Sequence, residues 1–203
     1  MPPVLILGGT AEARALAAAL VEAGVPVVSS LAGRVRDPAL PAGEVRIGGF
    51  GGIDGLAQWV TAHDVTAVVD ATHPFASTMT AHAVAACRVT GVPLVVLRRP
   101  GWPPDPDWEW ADSLPDAAAL LPALGTRVFL TTGRTSLAVF AGLDLEFLIR
   151  CVDPPVEPLP RRAQVLLSRG PFTVDGERAL LREHRIDVVV TKDSGGPLTS
   201  AKL

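Results

Sequence analysis

Pro3-Val-Leu-Ile-Leu-Gly-Gly-Thr10, then the alanine- and leucine-rich run Ala11 to Ala23 closed by Gly24, then Pro26-Val-Val-Ser-Ser-Leu31, decide the fold. Strand, glycine turn, helix and strand follow one another within about thirty residues, the βαβ unit of a doubly wound sheet. The alternation continues outward. Val45-Arg-Ile47 is a short strand ending in Gly48-Gly-Phe-Gly-Gly52, with a helix through Leu56 and Trp59. Thr66 to Ala71 is a strand ending in Thr72-His-Pro-Phe75, a helix runs to about Thr90, and Pro93 to Leu97 is the fifth strand.

From Arg98 to about Gly125 the pattern breaks. Gly101-Trp-Pro-Pro-Asp-Pro-Asp-Trp108 cannot be regular structure, because its prolines lack amide donors and fix φ. A short helix from roughly Leu114 to Leu121 follows. The second half then restarts: a strand Arg127–Thr131, a helix Ser136–Phe140, strands Glu146–Arg150 and Gln164–Leu167, a helix Asp175–Arg185 and a strand Asp187–Thr191. The expected architecture is α/β, two Rossmann-like parallel-sheet domains with the ligand cleft between them. Residues 1–98 form the N-terminal Rossmann-like domain, 99–125 a proline-rich connector with its short helix, and 126–203 the second Rossmann-like domain.

Composition agrees. Hydrophobic residues make up 48% of the 203 residues and aromatics 5%, with no tyrosine, so the core is built from Val, Leu, Ile and Ala. A net charge of −3 excludes a strongly basic nucleic-acid binder. The second part is nevertheless mildly basic: residues 126–203 hold 11 Lys/Arg against 9 Asp/Glu, where residues 1–125 hold 7 against 12. That balance suits an anionic ligand, although ordinary surface charge accounts for most of these residues. Cys87 and Cys151 are far apart and lack metal-type spacing, so neither a disulfide scaffold nor a metal site is expected. No apolar run approaches membrane-spanning length, and the N-terminus opens into a strand rather than a signal peptide, which reads as cytoplasmic.

In an open parallel sheet, ligands bind beyond the carboxyl ends of the strands. Six such ends carry polar or glycine-rich turns: Gly8-Gly9-Thr10, Ala32-Gly33-Arg34, Gly48 to Gly52, Thr72-His73, Thr132-Gly133-Arg134 and Lys192 to Gly196. The first departs from G-x-G-x-x-G, so it fits either a pyrophosphate at the helix start or a plain strand-to-helix turn. After the second strand there is no Asp or Glu for ribose hydroxyls; Gly33-Arg34 with Arg36 stands there instead, which favours NADPH over NADH. Gly48, Gly49, Gly51 and Gly52 around Phe50 let the backbone lie against a flat cofactor, or form a mobile surface turn. Thr72 is placed to hydrogen-bond a ligand and His73 to donate a proton, though a lone histidine at a helix start is more often structural.

These segments carry a family resemblance. Leu7-Gly-Gly-Thr-Ala-Glu12, Ser30-Leu-Ala-Gly-Arg34, Arg46-Ile-Gly-Gly-Phe-Gly-Gly52, Val69-Asp-Ala-Thr-His-Pro-Phe-Ala76, Arg98-Arg-Pro-Gly-Trp102, Phe129-Leu-Thr-Thr-Gly-Arg134, Ser168-Arg-Gly-Pro-Phe172 and Thr191-Lys-Asp-Ser-Gly-Gly196 resemble, in order, the motif series of precorrin-6A reductases. The resemblance implies a monomeric or weakly associated enzyme with NADPH between two domains, reducing one double bond of the precorrin-6A macrocycle to give precorrin-6B in cobalamin biosynthesis. It assigns Gly8, Gly9, Thr10, Gly33, Arg34 and the Gly48–Gly52 turn to the cofactor. Thr132, Gly133, Arg134, Arg169, Gly170, Lys192, Ser194 and Gly195 would line the cleft from the second domain, with Thr72, Gly133 and Arg134 also on the cofactor; Arg150 and Lys202 join Arg134, Arg169 and Lys192 as cations for the polycarboxylate substrate. Family members usually continue past Lys-Asp-Ser-Gly-Gly with a helix, a strand and a final helix. This chain ends at Leu203, so either the sequence is cut short or the second sheet lacks a strand and keeps an exposed edge.

Two rivals stay open at this point: a reductase for the cobalt-containing version of the same substrate, and a non-catalytic NADP-sensing protein. The basic turns of the second half argue against the sensor, which needs no second anionic pocket. Arg34→Ala is expected to weaken NADPH binding by about tenfold or more and leave NADH unchanged, measured by titration. Unaltered affinity for both would remove Arg34 from the phosphate site.

Overall fold

β1 (Val4–Leu7) is apolar at every position, as a parallel strand covered on both faces must be, and Leu5, Ile6 and Leu7 are buried. The computed structural model describes residues 1–33 and 39–203; Arg34 and Arg36 lie outside the described residues. After the glycine turn, α1 (Ala11–Glu22) begins at Thr10, whose Oγ1 accepts the Ala13 amide at 3.1 Å and satisfies one of the orphan donors of the first turn. β2 (Val27–Leu31) is buried throughout, and β3 (Glu44–Ile47) is half exposed at the sheet edge. α2 (Gly52–Ala62), β4 (Ala67–Asp70), α3 (Ser77–Thr90) and β5 (Leu94–Val96) follow. All pairings are parallel, in the order β3-β2-β1-β4-β5. The two-residue period splits the core: Leu5, Leu7, Val28 and Val68 pack with Leu56 and Val60 of α2 and Ala83 and Ala86 of α3, while Ile6 and Val27 meet Ala13 and Ala17 of α1.

The chain divides into two compact units, Met1–Arg99 and Pro100–Leu203. In the second, α4 (Leu114–Leu124) starts at Ser113, whose side chain accepts the Asp116 amide. It leads to β6 (Arg127–Leu130), β7 (Glu146–Cys151), β8 (Arg162–Leu167), α5 (Val174–Glu183) and β9 (Val188–Val190). The sheet is again parallel, in the order β8-β7-β6-β9, with β9 at one edge and a largely exposed β8 at the other. Val128, Leu130, Phe147 and Ile149 form one core face with Leu121 and Phe140. The helix expected over Ser136–Phe140 is a single 3₁₀ turn, Leu137–Phe140: four residues before the Gly142 turn are too few to propagate an α-helix.

The other face is closed by a charge pair. Arg150 donates to Glu177 of α5 through both terminal nitrogens, at 2.5 and 2.9 Å, and the residues are only 9% and 3% exposed. The guanidinium also lies 3.7 Å from the Phe172 ring centre and 4.8 Å from that of Phe129. Arg150 was expected to meet a substrate carboxylate; in the structure its fork is already closed by a carboxylate of its own chain. Its work is to hold α5 and the Ser168–Phe172 segment against the sheet.

The proline-rich stretch is tied into the second unit rather than left loose. Trp102, 8% exposed, donates its amide to Asp193 Oδ1 and its indole to Gly196 O, both at 2.9 Å. Gly195 sits at φ +63, and a Cβ there would fall 2.1 Å from Pro100 O. The buried cysteines, Cys87 in the first unit and Cys151 in the second, are unbridged, and burial pushes both thiols up.

Removing one member of a buried ion pair strands the other. Glu177→Ala is therefore expected to destabilise the second unit by about 3–5 kcal/mol, measured by urea denaturation. A change below about 1 kcal/mol would show that the pair holds nothing.

Candidate functional site

Each sheet reverses direction at the strand that opens it. The chain passes from β1 to β2 and β3 on one side, then returns to β4 and β5 on the other; β6 stands likewise between β7 and β9. At such a point the loops leaving neighbouring strands diverge and open a crevice.

In the first unit the crevice is lined by Thr10 and Glu12 after β1, Asp70 and His73 at the end of β4, and Thr80 and Arg99. Thr10 Oγ1 donates to Ala71 O at 2.8 Å, pinning the glycine turn to the neighbouring strand end. Gly9 takes φ +113, with nothing within 4 Å of where a Cβ would stand, so bare backbone faces open space at the start of α1. Gly8 has ordinary surroundings; a Cβ there would meet Ala13 at 3.5 Å. Asp70 organises the strand end. Its Oδ1 accepts the Thr72 amide at 3.1 Å and the Thr72 hydroxyl at 2.6 Å, and its Oδ2 accepts the Thr80 hydroxyl at 2.6 Å. Thr72 thus spends its hydrogen on Asp70 and keeps oxygen lone pairs for a ligand that donates. His73 is exposed, and its Nδ1 accepts the Phe75 amide at 3.3 Å, so a neutral ring carries its proton on Nε2. Arg99 Nη1 reaches both oxygens of Glu12, at 3.1 and 3.0 Å.

Farther along the same edge, Gly33 (φ +70) and the Gly48–Gly52 turn leave the ends of β2 and β3. Gly48, Gly49, Gly51 and Gly52 have nothing within 4 Å of a built Cβ. Phe50, expected to lie beside a cofactor, has one face covered by the Arg46 guanidinium at 3.7 Å and meets Trp59 edge-on at 5.7 Å.

In the second unit Thr132, Gly133 and Arg134 leave β6. Thr132 is buried, and its Oγ1 has no hydrogen-bond partner among the described residues. Gly133 takes φ +93 with open space beyond it, and Arg134 reaches Pro154 O only at 3.5 Å. Lys192 to Gly196 leave β9. Lys192 is half-buried, and burial lowers its pKa; Ser194 and Gly195 are buried. Arg169 and Gly170, by contrast, are exposed in the segment that follows β8. Sequence reasoning missed Asp70, the Glu12–Arg99 pair, the anchoring Trp102 and any role for Arg46. Asp70 and Arg46 stood in the sequence only as polar residues near strand ends, and Glu12, Arg99 and Trp102 carried no sign of their partners. Among the described residues no group of His, Cys, Asp and Glu could hold a metal ion.

With this geometry in view, comparison with known proteins gives a consistent result. The model of the family described as precorrin-6x reductase CbiJ/CobK matches residues 3–203. A precorrin-6A reductase of Rhodococcus erythropolis is 62% identical over 207 residues, covering 100% of this chain and 84% of that protein. A cobalt-precorrin-6A reductase of Salmonella typhimurium is 33% identical, covering 95% and 78%. The solved structure of a CobK precorrin-6A reductase superposes with a TM-score of 0.93 at 44% identity, covering 100% of this chain and 82% of that one.

Lys202, expected at the substrate, is 8% exposed, with Nζ 4.7 Å from the Trp102 ring centre. Burial lowers its pKa from 10.5 to about 8; Arg150 adds to the shift and Glu177 opposes it. Here the folded state holds its proton less tightly than the unfolded chain. The cost of the buried ammonium is complete below pH 8 and is relieved as the pH rises towards 10.5. Denaturation midpoints should therefore climb between those values in the natural chain relative to Lys202→Met. Parallel pH profiles for the two would overturn this.

Proposed function

The chain belongs to the CbiJ/CobK precorrin-6x reductase family, and from that premise we propose that it reduces one double bond of the precorrin-6A macrocycle with NADPH, giving precorrin-6B. As a member of this family it is an oxidoreductase of cobalamin biosynthesis, and its reductant is a reduced nicotinamide; NADPH is the finer reading. The much higher identity to a relative named for the cobalt-free step favours that substrate over its cobalt-containing counterpart. A cytoplasmic location and a monomeric or weakly associated state complete the proposal. Among the described residues no helix is long and apolar enough to cross a membrane.

The observation that carries the proposal is the bare cradle at the first glycine turn. Gly9 presents backbone without a side chain, α1 begins there with its amides and partial positive charge, and the crevice lies at the reversal of strand order. These are the features a dinucleotide pyrophosphate needs, and Gly8, Gly9 and Thr10 would hold it. Gly33 and the Gly48–Gly52 turn would give the rest of the dinucleotide a side-chain-free surface. When bound, the coenzyme supplies the hydride.

The chain's own part is to bind and orient. Thr72, its hydroxyl hydrogen committed to Asp70, accepts from a ligand amide or hydroxyl. Gly133 and Arg134 after β6, with Arg169, Lys192, Ser194 and Gly195, supply cations and amides for the carboxylates of the ring. Hydride addition to an iminium-like carbon neutralises the macrocycle's own charge, so no general acid is required; His73 is one group at the first crevice able to hold a proton.

Arg134→Ala and Lys192→Ala are each expected to lower kcat/KM for precorrin-6A by about tenfold or more, followed as loss of NADPH absorbance. Full turnover in both variants would reject this substrate site. Tight NADPH binding with no oxidation on adding precorrin-6A would reject the activity and favour a sensor.

A further inference from the structure

We infer that Arg46, acting with Ser30, reads the phosphate on the adenosine ribose of the coenzyme; this rests on the NADPH reading above and adds two residues to the Arg34 expected there from the sequence.

β3 places Arg46 directly opposite Ser30 near the carboxyl end of β2, the position at which dinucleotide folds meet the adenosine ribose. Arg46 Nη1 donates to Ser30 Oγ at 2.8 Å and to Gly48 O at 3.0 Å, and Nη2 donates to Gly49 O at 3.0 Å. The guanidinium is held flat, 3.7 Å over the Phe50 ring centre and 5.8 Å from that of Trp59. Three of its five N–H groups are used, and every acceptor is a neutral oxygen.

Three other arginines whose guanidinium is held in place meet a carboxylate that cancels the charge. Arg99 has Glu12, Arg127 has Glu146 and Arg150 has Glu177. Arg46 has no carboxylate among the described residues, although burial works against its charge. Holding two glycine carbonyls needs only a neutral donor. A half-buried, fixed and uncompensated cation is suited to an anion that arrives from outside.

Ser30 supplies the independent sign. It is 7% exposed, and its oxygen accepts from Arg46, so its own hydrogen must point to another acceptor. No such acceptor is bonded to it among the described residues. A guanidinium edge and a buried hydroxyl hydrogen side by side form a donor pair for phosphate oxygens.

The test titrates the full chain calorimetrically with NADP⁺ and NAD⁺. The natural chain should prefer NADP⁺ by about tenfold or more. Arg46→Gln, which can still donate to the glycine carbonyls, should erase most of that ratio and leave NAD⁺ affinity within about threefold. Ser30→Ala should reduce the ratio severalfold. If the natural chain binds both dinucleotides equally, the NADPH reading falls and the inference with it. If it prefers NADP⁺ and Arg46→Gln keeps the preference, or loses both dinucleotides to the same degree, the inference alone is overturned. Should Arg46→Gln fail to fold, by circular dichroism, Ser30→Ala decides: a lowered ratio supports the donor pair and an unchanged one rejects it.

Discussion

Parallel pairing on both sides of β1 is the constraint from which the first unit follows. A parallel neighbour is reached only by a crossover, and β1 has one on each side, β2 and β4, entered from opposite directions. The loops leaving β1 and β4 must therefore part, and whatever polar groups they carry face one another across the gap. Thr10 and Asp70 keep that gap in shape: one ties the glycine turn to Ala71, the other gathers Thr72 and Thr80. The second unit repeats the arrangement around β6, with Thr132 to Arg134 and Lys192 to Gly196 on either side.

Charge is used in two different ways. Arg150 and Glu177 are buried together, each cancelling the other, and serve to fix α5 to its sheet. Arg46 is fixed as firmly, by Ser30, two carbonyls and two aromatic rings, yet its charge is left standing. Net charge along the sequence does not distinguish the two. What separates them is whether a carboxylate from a distant element arrives at the same place, and that depends on the fold: Glu177 is 27 residues from Arg150.

Much of the architecture is legible from periodicity. The apolar runs at Val4–Leu7, Val27–Leu31 and Arg127–Leu130, each ending in a polar or glycine turn, place the strands and their functional edge within a residue or two. Gly9 and Gly133 were legible as turns because positive φ leaves few alternatives to glycine. Partnership was not legible. Arg150 and Lys202 both read as cations for a substrate carboxylate until Glu177 is found against the first and Trp102 against the second. The 3₁₀ turn at Leu137–Phe140 was overestimated as a helix because apolar content alone says nothing of how soon Gly142 turns the chain.

The placement of the two thiols has a practical side. Each compact unit encloses one cysteine, Cys87 on the buried face of α3 and Cys151 at the end of β7, and neither is bridged. A sulfur that is shielded and reluctant to ionise resists alkylation until its surroundings open. Single-cysteine versions of the chain would turn alkylation kinetics into separate clocks for the opening of each half.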